Sequence, residues 1–205
     1  MPTYTVFPIE PPVSPSQLVA YKTLRLTSLQ VDPQAFGSNH ARELAFSDDF
    51  WRERLDSPFK QTVVASVLDA SKVDSKEAGE AGQWIGTASI VGPSDMPPSV
   101  LAPLEEAGVG ANWEPYCLYA MWVHPAHRGK GVAAQLTKAC LEWARTNVDP
   151  NLKFSSENSE GFEKVVLPLV HVDNVAGHAL YSRAGFTDLE GVSVPEGQRW
   201  MLAKV

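Results

Sequence analysis

The stretch VHPAHRGKGVAAQL, Val123 to Leu136, decides how this chain is read. The apolar run YCLYAMWV, Tyr116 to Val123, leads into it, and a helical stripe at Val132, Leu136, Ala139, Cys140 and Trp143 follows it. The spacing predicts a strand, a glycine turn and a helix that ends near Val148. The first N–H groups of a helix have no internal acceptor, and its dipole adds about half a positive charge there, so such a turn suits an anion. Gly129 and Gly131 allow close backbone approach, and Arg128 and Lys130 add cations.

Three phosphate-binding classes compete for this turn. A P-loop needs Ser or Thr after its Gly-Lys, whereas Lys130 is followed by Gly131-Val132. A dinucleotide fingerprint fits better, because Gly129 to Ala134 reads G-x-G-x-x-A. That class wants an acidic residue about 20 positions on, at the end of a second parallel strand. Asp149 has the distance but sits in a loop, and a dinucleotide-binding protein stays open as the weaker alternative.

Outward from the turn, Tyr4 to Ile9 reads as a strand, and Ser16 as the N-cap of a helix over Gln17 to Gln30. The turn material VDPQAFGS ends that helix, and a second is expected from a Ser47 cap, carrying Phe50, Trp51 and Leu55. Gln61 to Leu68 and Trp84 to Val91 read as adjacent antiparallel strands around a polar loop. Gly92 to Pro115 holds five prolines and is expected to be a long loop. VVLPLVHV, from Val165, reads as a strand buried on both faces. A turn at Asp173-Asn174 then opens a helix through Tyr181 with Gly185 as C-cap, followed by strands near Val192 to Val194 and Trp200 to Val205. This order gives an α/β chain expected to form a single domain over residues 1–205, with long loops near 70–83, 92–115 and 149–163.

Composition narrows the classes. The 205 residues carry 17 Lys+Arg against 24 Asp+Glu, a net charge of −7, the wrong sign for a protein that wraps nucleic acid. No basic N-terminal region precedes a long apolar run and no 18 consecutive residues are apolar, so a cytoplasmic protein with no membrane partner is expected. Cys117 and Cys140 are read as free, buried thiols. His124, His127, His171 and His178 lack a carboxylate cluster, so no metal is expected.

Val123-His124-Pro125, then Arg128 through Ala133 and Leu136, resemble the V-x-P-x-x-[QR]-x-x-G-x-[GA]-x-x-L signature of the GNAT superfamily of N-acetyltransferases. Asn174, Leu180, Tyr181, Gly185 and Phe186 are similar to the N-x-x-[AG]-x-x-L-Y-x-x-x-G-F pattern that family carries about fifty residues later. LRLTSLQVDPQAFGS with the FWRERL helix resembles its first two helices. The resemblance implies a mostly antiparallel sheet of about seven strands, splayed between the fourth and fifth, and flanked by about four helices.

The same resemblance implies acetyl-CoA as co-substrate and direct acetyl transfer to a primary amine of a small molecule or protein. It implies that Arg128, Gly129, Lys130, Gly131, Val132, Ala133 and Ala134 hold the pyrophosphate, mostly through main-chain donors. The strand ending in Trp122 and Val123 would line the gap for the pantetheine arm, with an N–H near Val123 polarising the thioester. Asn174 would contact the pantetheine region, its alternative being a helix N-cap, and Tyr181 would protonate the departing thiolate. Certain family members place a glutamate where this chain has Leu169, which leaves His171, Asp173, Glu114 or water as base. Phe36 and Trp51 are expected at the acceptor, with core packing as their alternative. A non-catalytic CoA or acyl-CoA sensor on the same fold is the other reading. Monomer and homodimer both stay open.

Overall fold

A computed structural model describes residues 2–68, 82–149, 151 and 162–205. Seven strands form one sheet in the order β1-β2-β3-β4-β5-β7-β6. They are β1 (Thr3–Ile9), β2 (Lys60–Leu68), β3 (Gln83–Val91), β4 (Trp113–Val123), β5 (Glu163–His171), β6 (Thr187–Leu189) and β7 (Gln198–Lys204). Six α-helices occur among the described residues: α1 (Pro15–Val31), α2 (His40–Leu44), α3 (Asp48–Asp56), α4 (Pro98–Glu106), α5 (Val132–Thr146) and α6 (Val175–Arg183). None is long and apolar enough to cross a membrane. By compactness the chain divides into one unit of Met1–Ser89 with Ala120–Ala139, and a second of Ile90–Tyr119 with Cys140–Val205.

In the first unit β1 pairs antiparallel with β2, from Thr3↔Leu68 to Ile9↔Thr62. Helix α1 begins two residues earlier than the Ser16 cap expected from sequence. Ser14 caps it instead, accepting from the Gln17 N–H while Gln17 reaches back to the Ser14 N–H, and Pro15 takes the first helical position. Proline suits that position because its missing N–H would have had no helical acceptor. Ser47 caps α3 as expected, and the short α2 is additional. Leu18, Tyr21, Leu24, Trp51, Leu55, Val64 and Trp122 form this unit's core. Burying each such side chain contributes about 1.5–3 kcal/mol.

In the second unit β4 and β5 run parallel, paired from Trp113↔Glu163 to Leu118↔Pro168. The pairing ends there, although β4 continues to Val123 and β5 to His171. Ala120, just beyond the last pair, has φ 53 and is the one non-glycine residue at positive φ among the described residues. Strand β5 also pairs antiparallel with β7. Val91, Leu104, Cys117, Val165, Leu167 and Trp200 form the core here, and both cysteines are free and buried.

Four sequence expectations change. Gly92 to Pro115 is not a plain loop: Pro97 and Pro98 start α4, which buries Val100 and Leu104 one turn apart. Residues Val192 to Val194 form no strand; Val192 is buried in the core, and the short strand is β6, paired from Thr187↔Leu202 to Leu189↔Trp200. Strand β5 is not buried on both faces to its end, because Leu169 and His171 are exposed. Ala184 is the C-cap of α6, and Gly185 follows it at φ 93, where glycine costs no Cβ clash. Most of the expected loops over 70–83 and 149–163 lie outside the described residues, and Gln83 already belongs to β3.

Candidate functional site

The site is built from the end of β4 upward. The His124 N–H donates to the Ile85 carbonyl at 2.8 Å, so residue 124 faces β3. Polar groups alternate along a strand, so those of Val123 turn to the opposite edge. The Val123 carbonyl confirms this, accepting from Arg128 Nε at 2.9 Å rather than from β3. The Val123 N–H therefore points from the edge of β4 that carries β5 pairing only as far as Leu118.

Gly86 lets β3 approach this end closely. A Cβ there would stand 3.1 Å from the Trp122 carbonyl oxygen and 3.3 Å from Val123 Cγ2. The sequence reading did not single out Gly86, whose only signal is a glycine inside a β-rich run.

After β4 the chain makes a 3-10 turn at Pro125–His127 and then enters α5. Gly129 and Gly131 have φ 70 and 78, and a Cβ at either would meet nothing within 4 Å. They are glycines for conformation, not for packing. The Gln135 N–H closes the first α5 bond onto the Gly131 carbonyl. Ser14, Asn39, Ser47 and Asn174 cap α1, α2, α3 and α6 with side chains, but Gly131 has none to offer. The first N–H groups of α5 thus meet an open turn, an arrangement that accepts an anion.

The cations there are partly engaged. Arg128 donates through Nη2 to Asp32 at 2.5 Å, and Lys130 Nζ donates to the Ala126 carbonyl at 3.1 Å. Asp32 Oδ2 also accepts from Trp122 Nε1 at 2.6 Å. Tyr4 Oη lies 3.1 Å from His127 Nδ1. Burial first, then Lys130 and His124, hold the His127 pKa below the usual imidazole range.

Phe36 lies under the Arg25 guanidinium, 4.4 Å from its ring centre, and packs against the same core as Trp122. Trp51 is 0% exposed, so the packing alternative describes it. Glu43 anchors the neighbouring helices: it accepts from Arg25 at 2.7 and 3.0 Å and from Arg54 at 3.2 Å.

In the second unit α6 carries the later motif. Asn174 is the N-cap of this helix, accepting from the Gly177 N–H at 2.9 Å. A Cβ on residue 177 would stand 2.5 Å from Asn174 Nδ2, so in this chain glycine leaves room for the Asn174 side chain to fold over the Gly177 N–H. Tyr181 is 6% exposed and meets Phe186 edge to face, with centroids 5.3 Å apart. Its hydroxyl has no hydrogen-bond partner among the described residues. Burial first, and then the neighbouring Cys140 and Cys117, push its pKa well above the usual phenol value, so it keeps its proton. Burial likewise pushes the Cys117 thiol up to about 12, which leaves it inert.

Glu114 does not join the far end of β5. It is buried at the start of β4, accepts from Tyr116 at 2.5 Å and lies 3.9 Å from Lys164 Nζ. His171 is at the other end of β5, beside Gly197. Among the described residues no three His, Cys, Asp or Glu side chains gather as metal ligands.

Residues 99–188 match the acetyltransferase (GNAT) domain. Among solved structures, Arabidopsis thaliana NAA60 in complex with a bisubstrate analogue is 16% identical, with a TM-score of 0.53 over 99% of both chains. A GNAT-family acetyltransferase from Streptococcus pneumoniae is 15% identical, with a TM-score of 0.57 over 99% of this chain and 100% of that one. The GNAT domain of S. lividans PAT is 16% identical, with a TM-score of 0.57 over 98% of this chain and 89% of that one. No curated protein matches the sequence. Both motif segments lie inside the matched residues, so residues 99–188 carry a GNAT acetyltransferase domain match, and nearly the whole chain shares the fold of GNAT acetyltransferases.

Proposed function

We propose that the protein transfers the acetyl group of acetyl-CoA directly to a primary amine. The observation that carries this reading is the end of β4 followed by an open helix start: the Val123 N–H turned away from β3, and two glycines at positive φ leading into α5. A structure of NAA60 holds acetyl-CoA and the NatC complex holds CoA with a peptide, so the fold receives these ligands in those proteins, which supports the reading. In this chain the α5 amides and Lys130 receive the pyrophosphate, and the Val123 N–H donates to the thioester oxygen as negative charge develops there. Asn174 contacts the pantetheine region while capping α6.

The amine nitrogen attacks the acetyl carbon, the C–S bond breaks, and the thiolate takes a proton from Tyr181. Burial keeps this phenol neutral at pH 7, so it meets the departing sulfur as a hydrogen-bond donor, although its raised pKa makes full transfer uphill against a thiol near ~8.5. The amine loses its own proton to water or to His171; Glu114, tied to Tyr116, is not proposed for this.

The test is thiol release from acetyl-CoA across a free N-terminal peptide, a lysine peptide, spermidine and an aminoglycoside. The proposal expects turnover with at least one of them, and a Tyr181→Phe variant about a hundredfold slower with CoA affinity retained. Acetyl-CoA binding without turnover across the panel identifies a sensor instead, the reading that apolar Leu169 favours.

A further inference from the structure

Asp32 lies outside both motifs, yet one of its oxygens is the meeting point of the site. Oδ2 accepts from Trp122 Nε1 at 2.6 Å and from Arg128 Nη2 at 2.5 Å. Arg128 in turn donates Nε to the Val123 carbonyl, and the next amide, His124 N–H, is fixed to Ile85. The residues on either side of the Val123 N–H are therefore held by three contacts, two of which pass through Asp32 or its partner. Asp32 is itself fixed, since its N–H closes α1 onto the Ser28 carbonyl.

We infer that Asp32 is a positioning residue: through Trp122 and Arg128 it sets the orientation of the Val123 peptide at the thioester. The inference rests on the acetyl-transfer reading above. It gives Arg128 a different part from that of a phosphate ligand, because its guanidinium already serves Val123 and Asp32. It also carries a sign. Asp32→Asn removes a negative charge beside an anion site, which favours CoA binding, while it loosens the peptide on which turnover depends.

The test compares wild type, Asp32→Asn and Arg128→Lys in three measurements. These are amide exchange at His124 in the free protein, CoA affinity by calorimetry, and acetyl-CoA thiol release with the best amine of the four-member panel. Both variants are expected to exchange His124 faster and to turn over about tenfold or more slowly, with CoA affinity unchanged or tighter for Asp32→Asn. Unchanged exchange at His124, or weaker CoA binding with unchanged turnover, overturns the inference. If wild type turns over none of the four amines, the transfer reading fails, and the exchange measurement alone decides whether Asp32 holds this peptide.

Discussion

Glu43 shows how a single carboxylate fixes the helices of the first unit. Burial alone would raise its pKa, but the hydrogen bonds and charge of Arg25, with Arg54 beyond, bring it below the usual range. A lowered folded pKa means the pair's stabilisation is present above the ordinary glutamate value, about 4.3, and is lost as pH falls through the folded value. Removing one partner leaves a buried Arg25 uncompensated. Glu43→Gln should therefore cost about 3–5 kcal/mol in urea unfolding near pH 7, and it should flatten the acid limb of the stability profile. Sequence reasoning passed over Glu43 and Asp32 for the same reason. Each is an ordinary helix-end residue whose partners come from elsewhere in the chain, and no local pattern marks such a meeting. Gly129, Gly131 and Tyr181 were legible because their spacing is local and their chemistry is demanding.

At the scale of elements, the strands with strong β-branched or aromatic runs were legible: β1, β2, β3, β5 and β7 lie within a few residues of their expected places. Helix α4 was hidden by its prolines, which punctuate loops and helix starts alike. Val192 to Val194 misled because an apolar triplet is as consistent with an anchored loop as with a strand. Nothing in YCLYAMWV announces the positive φ of Ala120, where β4 passes out of its pairing with β5. Left-handed backbone costs an alanine about 1–2 kcal/mol. Ala120→Gly should accordingly stabilise the fold by about 0.5–1 kcal/mol after the extra unfolded-state entropy is counted, and thermal unfolding will show it. The reverse change at the turn, Gly131→Ala, should cost about 1–2 kcal/mol and weaken CoA binding, since the turn's backbone must shift to receive the new residue.

Across the whole molecule, the two motifs fall on different compact units: the glycine turn on the first, and Asn174 with Tyr181 on the second. Their order in the chain was readable; the division of β4 and α5 between units was not, because it depends on which residues pack together over long separations. A net charge of −7 gives no general attraction for a polyanion, so binding must be concentrated at the turn. Hydrogen–deuterium exchange with and without acetyl-CoA tests this most directly. The account predicts protection concentrated at Val123 and in residues 129–134, where free amides gain acceptors. Acetyl-CoA binding that leaves the amides of 129–134 unprotected, or no binding at all, would contradict it.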